Sequence, residues 1–186
     1  AFGTITSDFT GKVWMDRNLG ASQACTAIDD ADCYGDYYQW GRPSDGHEKS
    51  DSTTTSTQTT TTTPDHGRFI LRNSAPYDWT TADGNGSIRD ANWNPCPSGY
   101  RIPTKAEYES ENMSNSRDVF DRLKVPAAGA RNAASGNLTE QRRNILLWSS
   151  SPADETSAWY YFADSSRTGI YYHPRVYGFP VRCVEE

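Results

Sequence analysis

Trp148-Ser149-Ser150-Ser151 at one end and Gly178-Phe179-Pro180-Val181-Arg182-Cys183 at the other enclose the segment Arg167-Thr168-Gly169-Ile170-Tyr171-Tyr172-His173-Pro174-Arg175-Val176-Tyr177. Inside the frame, large polar or aromatic side chains alternate with small or apolar ones. Tyr and Arg suit binding surfaces, because they combine contact area with adaptable hydrogen bonding at modest entropic cost. The stretch from about 148 to 183 therefore reads as a contact surface held in a stiff frame.

Composition narrows what surrounds it. The chain has 186 residues, the size of one domain, and few aliphatic residues beside its 6 Trp, 11 Tyr and 6 Phe. With 14 Gly and 10 Pro, this describes a loop-rich fold with an aromatic core, not a helical bundle. A net charge of −6 with no basic stripe argues against nucleic-acid binding. No apolar run approaches membrane-spanning length, so membrane insertion is not expected. No signal-peptide pattern is present, which says nothing about secretion.

Working back toward the N-terminus, the segment from Gly11 to Gly20 opens on a turn Gly, places apolar Val13 and Met15 two apart and reads as a strand ending in a loop. Tyr34 to Arg42 places Tyr37, Trp40 and Gly41 at helical spacing, predicting a short helix or turn with its aromatics inward. A Thr-rich tract within about 47–66 has no apolar face and predicts an exposed loop or partly disordered insertion. Thr104 with Glu107 forms a capping box, so a helix begins there and runs to about Asn112. A second helix is expected between Ser116 and Leu123, with Val119, Phe120 and Leu123 on one face. Val125 to Arg131 reads as a strand entry. Leu146–Ser149, Ala158–Phe162 and Gly178–Val184 read as strands, with a hairpin before the last. The expectation is one α+β domain over residues 1–186.

Four cysteines lack Cys-x-x-Cys spacing, which disfavours zinc. In an oxidising compartment the natural pairing is Cys25–Cys33 with Cys96–Cys183; two other pairings, or four buried thiols, are the alternatives. Asp83, Asn85 and Ser87 present oxygens at alternate positions among glycines, as a calcium loop would, which makes Ca2+ the candidate cofactor. The downstream bidentate Glu of an EF-hand is missing, and such clusters also build plain turns. Asp29-Asp30-Ala31-Asp32 reads as a solvated acidic loop. His47, His66 and His173 have no triad order, and Ser149–Ser151 lacks a nucleophile elbow, so no catalytic residue is expected.

Five ordered segments carry a family resemblance: Val13–Ala21, Tyr34–Arg42, Pro95–Thr104, Trp148–Ser151 and Gly178–Cys183. They are similar to the Fibrobacter succinogenes major paralogous domain, over nearly the whole chain apart from the Thr tract. The resemblance implies a C-type-lectin-like fold, two helices with small antiparallel sheets and long loops, displayed on bacterial surfaces. It also implies kinship with the formylglycine-generating-enzyme type. Such domains serve as variable proteins of diversity-generating retroelements in bacteria, phages and archaeal viruses, where adenines of C-terminal Asn codons are mutated. Arg167, Gly169, Tyr171, Tyr172, His173, Pro174 and Tyr177 can each be reached from AAC by changing one or both adenines. Ile170, Arg175, Gly178 and Phe179 are then fixed scaffold, as are Trp148 and Trp159, which no adenine change in an Asn codon produces.

The implied function is non-catalytic binding of a protein or glycan ligand on a cell surface through those seven residues. The alternatives are an ordinary surface adhesin or structural domain without diversification, and an oxidase using paired cysteines.

Overall fold

The computed structural model describes residues 1–82 and 93–186. Thirteen short strands and two α-helices are named among them. The longest sheet comprises β9 (Ile145–Pro152), β10 (Ser157–Ala163) and β11 (Thr168–Pro174), in the order β11-β10-β9 and antiparallel throughout. A second sheet joins the two ends of the chain. It orders β1 (Thr4–Thr6), β2 (Val13–Met15), β13 (Val184–Glu185) and β6 (Tyr100–Arg101). A third orders β3 (Tyr38–Gln39), β12 (Gly178–Phe179), β7 (Ala130–Arg131) and β8 (Leu138–Thr139). The architecture is α+β, with most of its regular structure in small sheets.

Both expected helices form where their signals lie. The first, α1, spans Lys105–Ser110. The Thr104 hydroxyl accepts from the Glu107 amide at 3.2 Å, and the Glu107 carboxylate accepts from the Thr104 amide at 2.9 Å. Two donors that a helix start leaves unsatisfied are thereby paired. The second, α2, spans Ser116–Leu123 and buries Val119, Phe120 and Leu123. Lys124 ends it in the left-handed region, at φ 57°.

The β9–β11 sheet has a core on each side. Toward the helices, Ile145, Leu147, Tyr161 and Ala163 pack with Trp14, Tyr108, Val119 and Leu123. On the opposite side, Leu146, Trp148 and Ala158 pack with Tyr38, Trp40, Ile102 and Phe179. Trp14, Trp40, Trp79 and Trp148 are fully buried, so the core is aromatic, as the shortage of aliphatic residues requires.

Three expectations are refined or corrected. Of the short helix or turn expected in Tyr34–Arg42, the turn is present at Trp40–Gly41 with Tyr37 and Trp40 buried inward, and no helix forms. Gly35 and Gly41 sit at φ 78° and 85°, and the Tyr37 and Trp40 amides reach the distant Glu48 and Arg175 carbonyls instead of their own turn. Gly178–Val184 is not one strand. Only its ends pair, in different sheets, while the Pro180 and Val181 carbonyls accept from the Trp148 and Leu19 amides.

The third correction concerns the Thr-rich tract, which is exposed over most of 51–66 but structured. Within it, β4 (Thr54–Thr55) pairs in parallel with the buried β5 (Phe69–Ile70), and Thr59 bridges Thr80. His47, at its start, is fully buried. Threonine main chain can pair with buried strands without supplying an apolar face of its own.

Between these short elements, arginines close the remaining gaps. Arg182 is fully buried and donates to the Met15, Leu123 and Lys124 carbonyls and to Asn18 Oδ1. It thus binds the β2 end to the C-terminus of α2, where helix carbonyls lack partners and favour a cation. Burial lowers its pKa to about 9, which still leaves it charged at neutral pH. Replacing Arg182 with Met, which keeps much of the volume, strands these acceptors in the interior. The expected loss is roughly 3 kcal/mol, measured by urea unfolding; a loss below about 1 kcal/mol would contradict this role.

Candidate functional site

The register of the β9–β11 sheet assigns the candidate residues to faces. Tyr160 lies opposite Tyr171 and Trp148, Phe162 opposite Gly169 and Leu146, and Ala158 opposite His173. Side chains alternate along a strand, so Gly169, Tyr171 and His173 share one face, while Ile170 and Tyr172 point the other way.

The first face overlooks an open concavity of about 350 Å³. Tyr160, Phe162, His173, Tyr177 and Phe179 line one side, and Asn132, Thr139 and Glu140 the other. Its floor is fixed by Phe179, whose ring centroid lies 4.2 Å from that of Trp148 and 4.9 Å from that of Tyr160. His173 is stacked 5.6 Å from Phe179 and meets Tyr177 edge-on at 4.3 Å. Burial lowers the His173 pKa, so the ring is neutral at neutral pH and offers one donor and one acceptor. Tyr160 is pushed up to about 12, chiefly by burial, and stays a neutral phenol.

Arg167 brings the positive charge. It is exposed, donates to the Tyr171 hydroxyl and lies 5.1 Å over Phe162 and 5.5 Å over Tyr171. Its contact with Asp164 spans 3.9 Å at the surface and adds little stability. Gly169 leaves room for the Tyr171 ring, since an added Cβ would stand 2.7 Å from it.

The seven candidates therefore do not form one patch. Arg167, Gly169, Tyr171, His173 and Tyr177 gather on the concave side. Tyr172 lies on the opposite face, 59 % exposed, edge-on to Trp159 at 5.2 Å, with the Lys105 ammonium 4.0 Å over that indole. Pro174 ends the strand, its carbonyl accepting from the Tyr177 amide at 3.2 Å. His173 and Tyr177 are half-buried, not fully exposed. Arg175 is fully buried, 4.6 Å over Trp40, and donates to the Asp154 and Ser157 carbonyls.

Sequence reading missed Tyr160, Phe162, Asn132, Thr139 and Glu140 as parts of this wall. Trp159 to Phe162 is aromatic at every position, so no polar alternation marks which face is open. The β8 residues join it only through the β7–β8 pairing.

The remaining candidates fall elsewhere. Asp83, Asn85 and Ser87 lie outside the described residues. Asp30 Oδ1 accepts from the Asp32 amide at 3.1 Å, and the acidic loop is largely exposed. Cys25 is bridged to Cys33 and Cys96 to Cys183, leaving no free thiol. Ser149 is buried and donates to the Trp159 carbonyl. Among the described residues, Asp45, His47 and Glu48 lie close enough to share a metal. Their polar atoms are already engaged: His47 Nδ1 with Asp45 at 2.7 Å, His47 Nε2 with the Gln39 amide at 3.0 Å, and Asp45 Oδ2 with Arg42 at 2.8 Å. No helix among the described residues is long and apolar enough to cross a membrane. Compared with family models, curated proteins and solved structures, the chain finds no match.

Because His47 Nε2 accepts from a main-chain amide, the ring is held neutral, and burial lowers its pKa. The unfolded chain, with an ordinary histidine near 6.5, then takes up the proton first. This contribution to stability is present above about pH 6.5 and is lost as pH falls through the folded value. Urea unfolding at pH 7.5 and 5.5 should show the loss, and His47→Gln, which keeps an acceptor, should flatten it. Equal slopes in the two proteins would contradict a neutral His47.

Proposed function

We propose that this chain is a non-catalytic recognition domain of C-type-lectin-like fold, resembling the Fibrobacter succinogenes major paralogous domain and diversified along its last hairpin. One observation carries the reading. His173 and Tyr177 line a concavity, and Arg167 and Tyr171 lie on the same face against its Phe162 wall, while Phe179, Trp148 beneath it and the anchor Arg175 are different residues. A surface of this kind can change its contacts while the packing beneath stays constant.

Tyr and His supply contact area and hydrogen bonds, and Arg167 supplies a charge for a carbonyl or carboxylate of a protein or glycan ligand. Trp148–Ser151 begins at the floor of the concavity within β9, and Gly178–Cys183 runs beneath the same face. Pairing of the chain ends beside two helices also supports the fold assignment. Two bridged cysteine pairs suit an oxidising location such as a cell or virion surface, and give no support to thiol-based oxidase chemistry.

Sequencing the 3′ end of the gene from many clones of its source population tests the diversification. Differences should occur at adenines of the codons for Arg167, Gly169, Tyr171, Tyr172, His173, Pro174 and Tyr177. Codons for Trp148, Arg175 and Phe179 should stay constant. Identical clones, or differences scattered without regard to adenine, would defeat that part of the reading.

A further inference from the structure

Strand β11 is the outer strand of its sheet, and its main chain is open along part of its length. The Asp164 amide donates to the Arg167 carbonyl and the Arg175 amide to the Thr156 carbonyl, at the two ends of the β10–β11 ladder. These bonds fix the phase of the ladder between them. Gly169, Tyr171 and His173 exchange hydrogen bonds with β10, and Ile170 and Tyr172 direct their N–H and C=O groups outward. Among the described residues, those outward groups have no hydrogen-bond partner. No charged residue lies within Thr168–Pro174, and the register irregularity of this sheet falls between β10 and β9. Between Ile170 and Tyr172 neither a charged side chain nor a bulge blunts the edge, and the strand's proline stands at its end, at Pro174.

The opening is short. At one end the Thr168 hydroxyl is tied to the Met113 carbonyl, and at the other the Pro174 carbonyl accepts the Tyr177 amide. Both faces beside it are shaped. On one lie Tyr171 and the aromatic concavity already described. On the other, a second concavity of about 390 Å³ lies between α1 and β11, bounded by Tyr108, Glu109, Met113 and Ile170. Beyond it stands the exposed Tyr172–Trp159 pair with Lys105.

We propose that this edge receives an extended peptide segment of a partner protein as a fourth strand. The inference rests on the recognition reading of the same hairpin and names its ligand class. Main-chain bonds to Ile170 and Tyr172 give affinity independent of the partner's sequence. Alternate partner side chains reach the face of Tyr171 and the aromatic concavity on one side and the concavity beside Ile170 on the other, which supply selectivity. Two neighbouring tyrosines exposed on opposite faces are what such a strand would meet. A second copy of this chain suits the opening less well, because it would bring its own Met113 and Tyr177 segments against the two closed ends.

The test uses the full chain, immobilised and panned against a phage library of random linear dodecapeptides. A selected peptide is then synthesised plain and N-methylated at every second residue, in each of the two phases. One phase should abolish binding and the other should spare it. Tyr172→Pro removes the outward amide together with the ring, whereas Tyr172→Ala removes only the ring, so the difference between them reads the amide. The proline variant should bind about tenfold more weakly than the alanine variant.

Failure to select any linear peptide would overturn the proposal, as would binding that tolerates both N-methylated phases. Binding lost in Tyr171→Ala or His173→Ala but equal in the two Tyr172 variants would leave the recognition face standing and remove the edge. Binding indifferent to all four substitutions would remove both. A dimer in sedimentation that Tyr172→Pro dissolves, without peptide binding, would assign the edge to a second copy and overturn the proposal.

Discussion

Buried guanidinium groups donating to main-chain carbonyls hold this fold together. Strands of two or three residues leave many carbonyls without ladder partners, and an unpaired carbonyl in the interior is costly. Arg42, Arg131, Arg175 and Arg182 are all buried and turn their donors on such carbonyls. Arg42 reaches Arg68 and His66, Arg131 reaches Lys49, Ser52 and Gly136, and Arg182 joins β2 to the end of α2. A planar fork with five donors suits this role, and a lysine ammonium would not replace it. Aromatic faces complete the shell, with Arg131 4.4 Å over Phe69 and Arg175 4.6 Å over Trp40.

This support lets the longest sheet serve two purposes. Its helix-facing side is core, while its other side is core under Trp148 and open over Tyr160, Phe162 and His173. The transition occurs along single strands, so candidate residues Gly169, Tyr171 and His173 sit on a regular ladder, not a free loop. Arg175 locks the chain directly after β11 by bonding back to the turn between β9 and β10. Tyr171 ahead of that lock is exposed and His173 borders the concavity, whereas Phe179 is buried between Trp148 and Tyr160. In the proposed role, replaceable contacts thus rest on a floor that tolerates little change.

Local signals were the most legible. The capping box at Thr104 and the apolar face of Ser116–Leu123 need only neighbouring residues, and both helices lie where these place them. Long-range main-chain pairing was not legible, although the Cys96–Cys183 bridge was. Tyr34–Arg42 takes its hydrogen bonds from Glu48 and Arg175, which no local periodicity reveals. The Thr tract lacks an apolar face, yet its main chain pairs with Phe69–Ile70. The candidate hairpin was visible as a binding stretch, but its division into faces depends on register. Tyr171 and Tyr172 are alike in sequence and separate only when β11 is set against β10.

The central claim is that contact positions on this hairpin are replaceable while the residues under them are not. It is tested most directly by two displayed libraries, screened for folding by protease resistance. One randomises Tyr171, His173 and Tyr177; the other randomises Trp148, Arg175 and Phe179. Most members of the first should resist cleavage at the parent's protease concentration, and few members of the second should. Similar survival in the two libraries would contradict the account, and poorer survival of the first would make the hairpin residues core.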